Sequence, residues 1–234
     1  MKKKKVRLAA FLTAAAAILT AVGCGQNGSS LEKVKASGNM IEKTIDLPED
    51  TLKVSAEAIN TNNSHVNIII TTGNSRKCTI EADDNVMELI SVNVDEQSGK
   101  IVVEGDKTKM FEGMNYCITI DAPVTGVEVS GAYEVDYNCG ELSDIDIHSS
   151  GACMIHAIGK CENCTYNLAG STQVDAFDLV CKNINIEASG SVSANIYASE
   201  SISAEATGAC TIIYDGNPEK VDNESSGAVT FKAK

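Results

Sequence analysis

Nine cysteines carry much of the chemistry that this 234-residue sequence offers. Cys161-Glu162-Asn163-Cys164 is a CxxC motif, a spacing found in thiol redox sites and in halves of zinc sites. A redox site of this kind accompanies a βαβ pattern, and such a zinc site needs a second pair of ligands. The sequence has neither, so we expect no metal and no cofactor at the motif.

Two histidines stand among regularly spaced carboxylates. Asp144, Asp146 and His148 alternate along one predicted strand, where they could hold a divalent cation or simply form a solvated face. A second set shares one phase of successive repeats, where a structural ladder is favoured over a weak ion site or a catalytic remnant: Asp136, His156 and Asp175. The sequence lacks a nucleophile elbow, HExxH, a phosphate-binding glycine loop and the GGxGxD calcium repeat. We therefore predict no catalytic residue and no metal site.

The N-terminal segment, up to Cys24, reads as an export signal. Lysines and an arginine precede an apolar run from Leu8 to Val22, and small residues directly precede Cys24. This arrangement resembles the lipobox of bacterial lipoproteins, although Ala21 stands where that motif usually has Leu. The resemblance implies cleavage before Cys24, acylation of its thiol and anchoring in the membrane on the extracytoplasmic side. An ordinary signal peptide is the alternative. We predict a signal peptide over residues 1–23 and a flexible polar tether over residues 24–39.

The charge excludes one class of partner. The net charge is −13, and removing the basic segment 1–23 leaves 14 basic against 32 acidic residues, or −18. Such a surface repels phosphates, so nucleic-acid binding is not expected.

A small-Gly-small triplet returns six times in the second half of the chain. Its glycines follow one another at a nearly constant interval, which is a repeat signature. The predicted corner glycines are Gly131, Gly151, Gly170, Gly190, Gly208 and Gly227.

Each triplet glycine is followed by a short predicted strand with two core-facing positions. A second predicted strand, of alternating apolar and polar residues, leads to the next glycine. Two strands per repeat without a helix favour a parallel β-solenoid, in which stacked coils bury a shared core. An antiparallel sandwich of hairpins is the alternative. Cys161 and Cys181 both lie at the same distance before a triplet glycine, so we expect neighbours on successive coils, as a disulfide or as stacked thiols.

Residues 40–122 alternate in the same way but without a strict repeat. They either continue the solenoid or pack on it as a separate sheet. The predicted domain therefore spans residues 40–234, with an irregular β-rich part at 40–122 and regular repeats of 18–20 residues at 123–234.

The six triplets resemble the head GIN domain family of auto-transporter adhesin heads. Two further stretches, 84–90 and 100–106, fit the N-terminal part of that family, and the resemblance covers roughly residues 40–234. It implies an all-β fold, a single-stranded right-handed parallel β-helix, on an exported protein, and it brings no catalytic residues.

Together these observations predict a lipid-anchored, non-enzymatic cell-envelope protein whose β-solenoid serves adhesion, binding or structural presentation at the cell surface. Its candidate partners are polysaccharide, another envelope protein or a surface outside the cell. A carbohydrate-active enzyme is the alternative, because β-helices also host polysaccharide lyases and hydrolases. The scarcity of arginine and of aromatic residues on outward positions disfavours it. A signalling lipoprotein is a third hypothesis.

Overall fold

Alternation of β-branched and polar residues makes the described part of the chain almost entirely β-stranded, as predicted. The structure is a computed structural model that describes residues 31–49, 52–95 and 98–234, all within one compact unit, Leu31–Lys234. The predicted signal peptide and Cys24 lie outside the described residues. The described elements before the repeats are β1 (Glu32–Lys35), β2 (Met40–Asp46), β3 (Leu52–Ala56), β4 (Thr61–Asn62), β5 (His65–Thr71), β6 (Lys77–Asp83), α1 (Asp84–Met87), β7 (Ile90–Asp95), β8 (Lys100–Gly105), β9 (Lys109–Glu112) and β10 (Asn115–Asp121).

The repeats form one long winding extended segment. This segment is β11 (Val124–Asp215), and β12 (Lys220–Gly227) and β13 (Thr230–Ala233) follow it. Both later strands pair parallel with the preceding coil of β11 at the interval of the repeat, for example Ile202 with Val221 and Gly208 with Gly227. The parallel register at this interval is that of a solenoid and excludes a sandwich of hairpins.

The triplet glycines stack on one another at a corner of the coil. Gly151, Gly170 and Gly190 all have positive φ, and a Cβ on each would lie 2.4–2.6 Å from the carbonyl oxygen of the glycine one coil earlier. Neither the backbone conformation nor the space admits a larger side chain without a shift.

The N-terminal part continues the solenoid. β3 and β5 pair parallel with β11, and β8 and β10 extend these ladders by pairing parallel with β3 and β5. β2, β6 and β7 add antiparallel strands at the outer ends of the ladders. β1, which falls within the predicted tether 24–39, pairs parallel with β9, so residues 32–35 belong to a sheet.

The core is thin and built from small and β-branched side chains. Valine, isoleucine, alanine and cysteine occupy most buried positions, and the tyrosines Tyr116, Tyr137 and Tyr166 are the largest side chains in it. Each coil contributes only a few of these residues, so the apolar face is covered only when the coils stack. Each coil thus depends on its neighbours for burial.

Candidate binding groove

A groove runs along the side of the solenoid that precedes the glycine corner. It has a volume of about 470 Å³ and is open to solvent. Its polar column takes one side chain per coil, at the third position before each corner glycine: Glu128, His148, Asn167, Glu187 and Glu205. Small residues directly before the glycines leave room beside this column: Ser130, Ser150, Ala169, Ser189 and Thr207. The repeat thus places similar polar groups about 4.8 Å apart.

Two lysines from the irregular half lie at one end of the groove. Lys53 on β3 pairs with Asp146 at 3.0 Å, and Lys100 on β8 pairs with Glu128 at 2.9 Å. They line an adjoining hollow of about 350 Å³ that shares Glu128 and His148 with the groove. The sequence did not indicate these lysines, because they reach the groove only through the pairing of β3 with β11 and of β8 with β3.

The charge within the groove is uneven. The hydrogen bond from Lys100, followed by its charge and a weaker bond from Ser55, lowers the pKa of the Glu128 carboxyl. Glu187 and Glu205, further along, are exposed. The groove therefore has a mixed-charge end and an acidic end, and it offers hydrogen-bond donors and acceptors to an extended polar ligand.

In the described part of the chain, the two sets of histidine and carboxylate side chains that could hold an ion do not form clusters of ligands. Asp144 accepts a hydrogen bond from Asn163 at 2.9 Å, and Asp146 is engaged by Lys53. His156 Nδ1 lies 3.6 Å from Asp136 Oδ1, with both side chains about half exposed. These contacts describe pairs on a solvated face.

Three cysteines meet in the core at a second corner of the coil. Cys161 Sγ lies 2.7 Å from Cys181 Sγ on the next coil, and the Sγ atoms of Cys161, Cys164 and Cys181 all lie within 4.8 Å of one another. All three are buried free thiols. The sequence indicated the Cys161–Cys181 proximity, but the third member was missed. A sequence signal for Cys164 was present. Two successive polar residues, Glu162 and Asn163, point outward and form a corner, so the cysteines on both sides of them face the core.

The thiols of this cluster differ in acidity. Hydrogen bonds from Cys164 and Cys181 lower the pKa of the Cys161 thiol. Burial raises the pKa of the Cys164 thiol, and the bond to Cys161 raises that of Cys181. Elsewhere, burial raises the pKa of Cys78 to about 12, which leaves that thiol unreactive.

The stacked coils and the lateral groove define an extended β-solenoid that presents a polar surface. The chain belongs to the family described as "Putative auto-transporter adhesin, head GIN domain", whose model matches residues 57–218.

A comparison with solved structures finds a protein of the same fold. A crystal structure titled a "putative adhesin" from Bacteroides fragilis NCTC 9343 is 21% identical, covers 86% of this chain and 100% of its own, and has a TM-score of 0.59. A "putative adhesin" from Parabacteroides distasonis ATCC 8503 is 13% identical over 87% of this chain and 100% of its own, with a TM-score of 0.49. Among curated proteins, no match was found. Within the described ranges, none of the helices has the length and apolar character needed to cross a bilayer.

Proposed function

We propose that this protein is a lipid-anchored component of the cell envelope that binds an extended polymer along the groove without catalysis. The polymer is a polysaccharide or a segment of another envelope protein. The observation that carries the proposal is the polar column, which repeats one hydrogen-bonding side chain per coil beside small residues. A polymer whose own groups repeat can contact several coils at once, and the individual contacts then add up.

The family supports this binding role. Its description names an adhesin head, and the Bacteroides fragilis structure carries the same word in its title. Acylation of Cys24 would hold the domain at the outer face of the membrane, where such a ligand is found.

A carbohydrate-active enzyme is the second candidate, and one observation favours it. Glu128 lies beside Lys100 in the groove, while Glu187 and Glu205 lie further along. Paired carboxylates are the usual machinery of glycoside hydrolysis. The described lining of the groove contains no aromatic side chain of the kind on which sugar rings stack.

A glycan array and a polysaccharide-degradation assay on the full chain carrying Cys24→Ala separate the two functions. We expect binding to one class of polymer and no loss of polymer length. Shortening of any glycan would show that the protein is an enzyme.

Two matched double variants test whether the groove is the binding surface. Ser150→Leu with Ser189→Leu fills the groove with apolar volume, and we expect at least a tenfold loss of binding. Ser171→Leu with Ser191→Leu adds the same volume on the other side of the corner glycines, where the side chains are equally exposed. Equal losses in both variants would contradict the groove as the site.

A further inference from the structure

The three buried thiols at the second corner form a site that the groove does not use. Cys161 and Cys164 flank an outward pair of residues, so both side chains enter the core from one turn of one coil. Cys181 enters from the same position of the next coil. Three thiol groups, which are soft metal ligands, therefore come together from two successive coils.

The spacing of the sulfur atoms fits one metal ion. With zinc–sulfur bonds of about 2.3 Å, the sulfur atoms of a tetrahedral or trigonal site lie about 3.8–4.0 Å apart. The three Sγ atoms lie within 4.8 Å of one another. The Cys161–Cys181 pair, at 2.7 Å, would open by about 1 Å when the ion enters, by small side-chain rotations.

A buried phenol beside the cluster is an independent observation. The Tyr166 hydroxyl is fully buried and has no partner in ordinary hydrogen-bond geometry within the described residues. Tyr166 is the second residue after Cys164 on the same strand, and both side chains are buried, so the phenol enters the core beside the cluster. An unpartnered buried hydroxyl is costly, and a metal-bound thiolate is an acceptor for it.

We propose that Cys161, Cys164 and Cys181 bind one thiophilic divalent d10 ion, of which zinc is the common example, with Tyr166 donating a hydrogen bond to a bound sulfur. Three protein ligands leave the fourth position of the ion to a water molecule. This site is separate from the groove and does not depend on the proposed function.

The exchange balances in atoms and electrons. A divalent ion displaces the protons of the three coordinating thiols, which pass to solvent as the thiolates bind the ion, and no electron is transferred.

Cadmium titration of the full chain, purified without oxygen or chelator, tests the proposal. We expect one Cd²⁺ per chain, a sulfur-to-cadmium charge-transfer band with the intensity of three thiolates, and release of protons from the coordinating thiols. Zn²⁺ should compete for the same site.

Two serine variants provide the comparison. Cys181→Ser keeps an acceptor for its hydroxyl at the Leu179 carbonyl oxygen, and it should weaken binding about 100-fold or more. Cys153→Ser is the control, because that buried thiol lies elsewhere in the core, 3.5 Å from the Gly131 carbonyl oxygen, and it should bind cadmium as the parent chain does.

A second measurement does not depend on the folding of a variant. Cadmium should protect three thiols of the parent chain from alkylation, identified by mass spectrometry as Cys161, Cys164 and Cys181. Free thiols without a charge-transfer band, or a Cys161–Cys181 disulfide in the protein isolated without oxygen, would overturn the proposal.

Discussion

Single residues set the tight geometry of the coil, and glycine at the corner is the clearest case. Gly170 has a φ of +80°, and a Cβ on it would lie 2.6 Å from the Gly151 carbonyl oxygen. Gly38 has nearly the same φ, +81°, but nothing lies within 4 Å of the Cβ it would carry. The two positions share nearly the same φ, but only Gly170 has a neighbouring coil in close contact.

Gly38 and Gly170 separate the two reasons for glycine, which are the left-handed backbone and the close approach of a neighbouring coil. We expect Gly38→Ala to lower the free energy of unfolding by about 1–2 kcal/mol through the left-handed backbone alone. Gly170→Ala should lose a further amount of about 1–3 kcal/mol, because the coils must move apart. Chemical denaturation of both variants measures the difference. Equal losses would show that close approach of the coils does not require glycine.

Polar side chains link one element to the next along the outside of the coils. At the second corner, Asn163 donates to Asp144 at 2.9 Å, Asn183 donates to Asn163 at 3.1 Å, and Ser201 donates to Asn183 at 2.7 Å. This ladder runs over successive coils beside the buried thiols. Its members lie one repeat apart along the chain, so the repeat period itself produces it.

Asp121, at the end of β10, holds the turn between β5 and β6. Its carboxylate accepts hydrogen bonds from the hydroxyls of Ser75 and Thr71, and the bond from Ser75 is the main reason that its pKa is lowered. Because the pKa is lower in the folded state, the stabilisation is present above the unfolded pKa of about 4 and is lost as pH falls through the folded pKa.

We expect Asp121→Asn to lower the free energy of unfolding by up to about 1 kcal/mol at pH 7, since the side chain is partly exposed and solvent screens its interactions. The difference from the parent chain should shrink between pH 5 and pH 2. Asp175→Asn, at an exposed outward position, is the control and should change the free energy of unfolding little. A difference for Asp121→Asn that stays constant with pH would contradict this role.

At the scale of the whole molecule, the fold and the proposed anchor have different roles. The stacked coils form a stiff support with a groove along one side. A lipid at Cys24 would keep that support at the membrane, since two or more acyl chains give durable anchoring where one is marginal.

Replacing Cys24 with Ala tests the anchor in cells. We expect the parent chain in the membrane fraction and the Cys24→Ala variant in the aqueous fraction, detected by immunoblotting. Cys153→Ser, which keeps Cys24, should remain with the membrane. Retention of the Cys24→Ala variant in the membrane would remove the lipid anchor from the proposal.

The sequence alone predicted the family and the all-β class, and it favoured the parallel solenoid over a sandwich of hairpins. The repeat period made these predictions accessible. Each coil places the same type of side chain at the same position, so residues one repeat apart become neighbours on successive coils. The proximity of Cys161 to Cys181 follows from the same rule.

Only the tertiary structure decided what depends on contacts without a fixed interval. Lys53 and Lys100 reach the groove because β3 pairs with β11 and β8 pairs with β3, and the chain that joins these strands follows no sequence period. Cys164 joins the thiol cluster because a corner, rather than a strand, separates it from Cys161. Periodicity specifies which residues stack along the solenoid axis, whereas corners and irregular strand pairings depend on the packing of the whole chain.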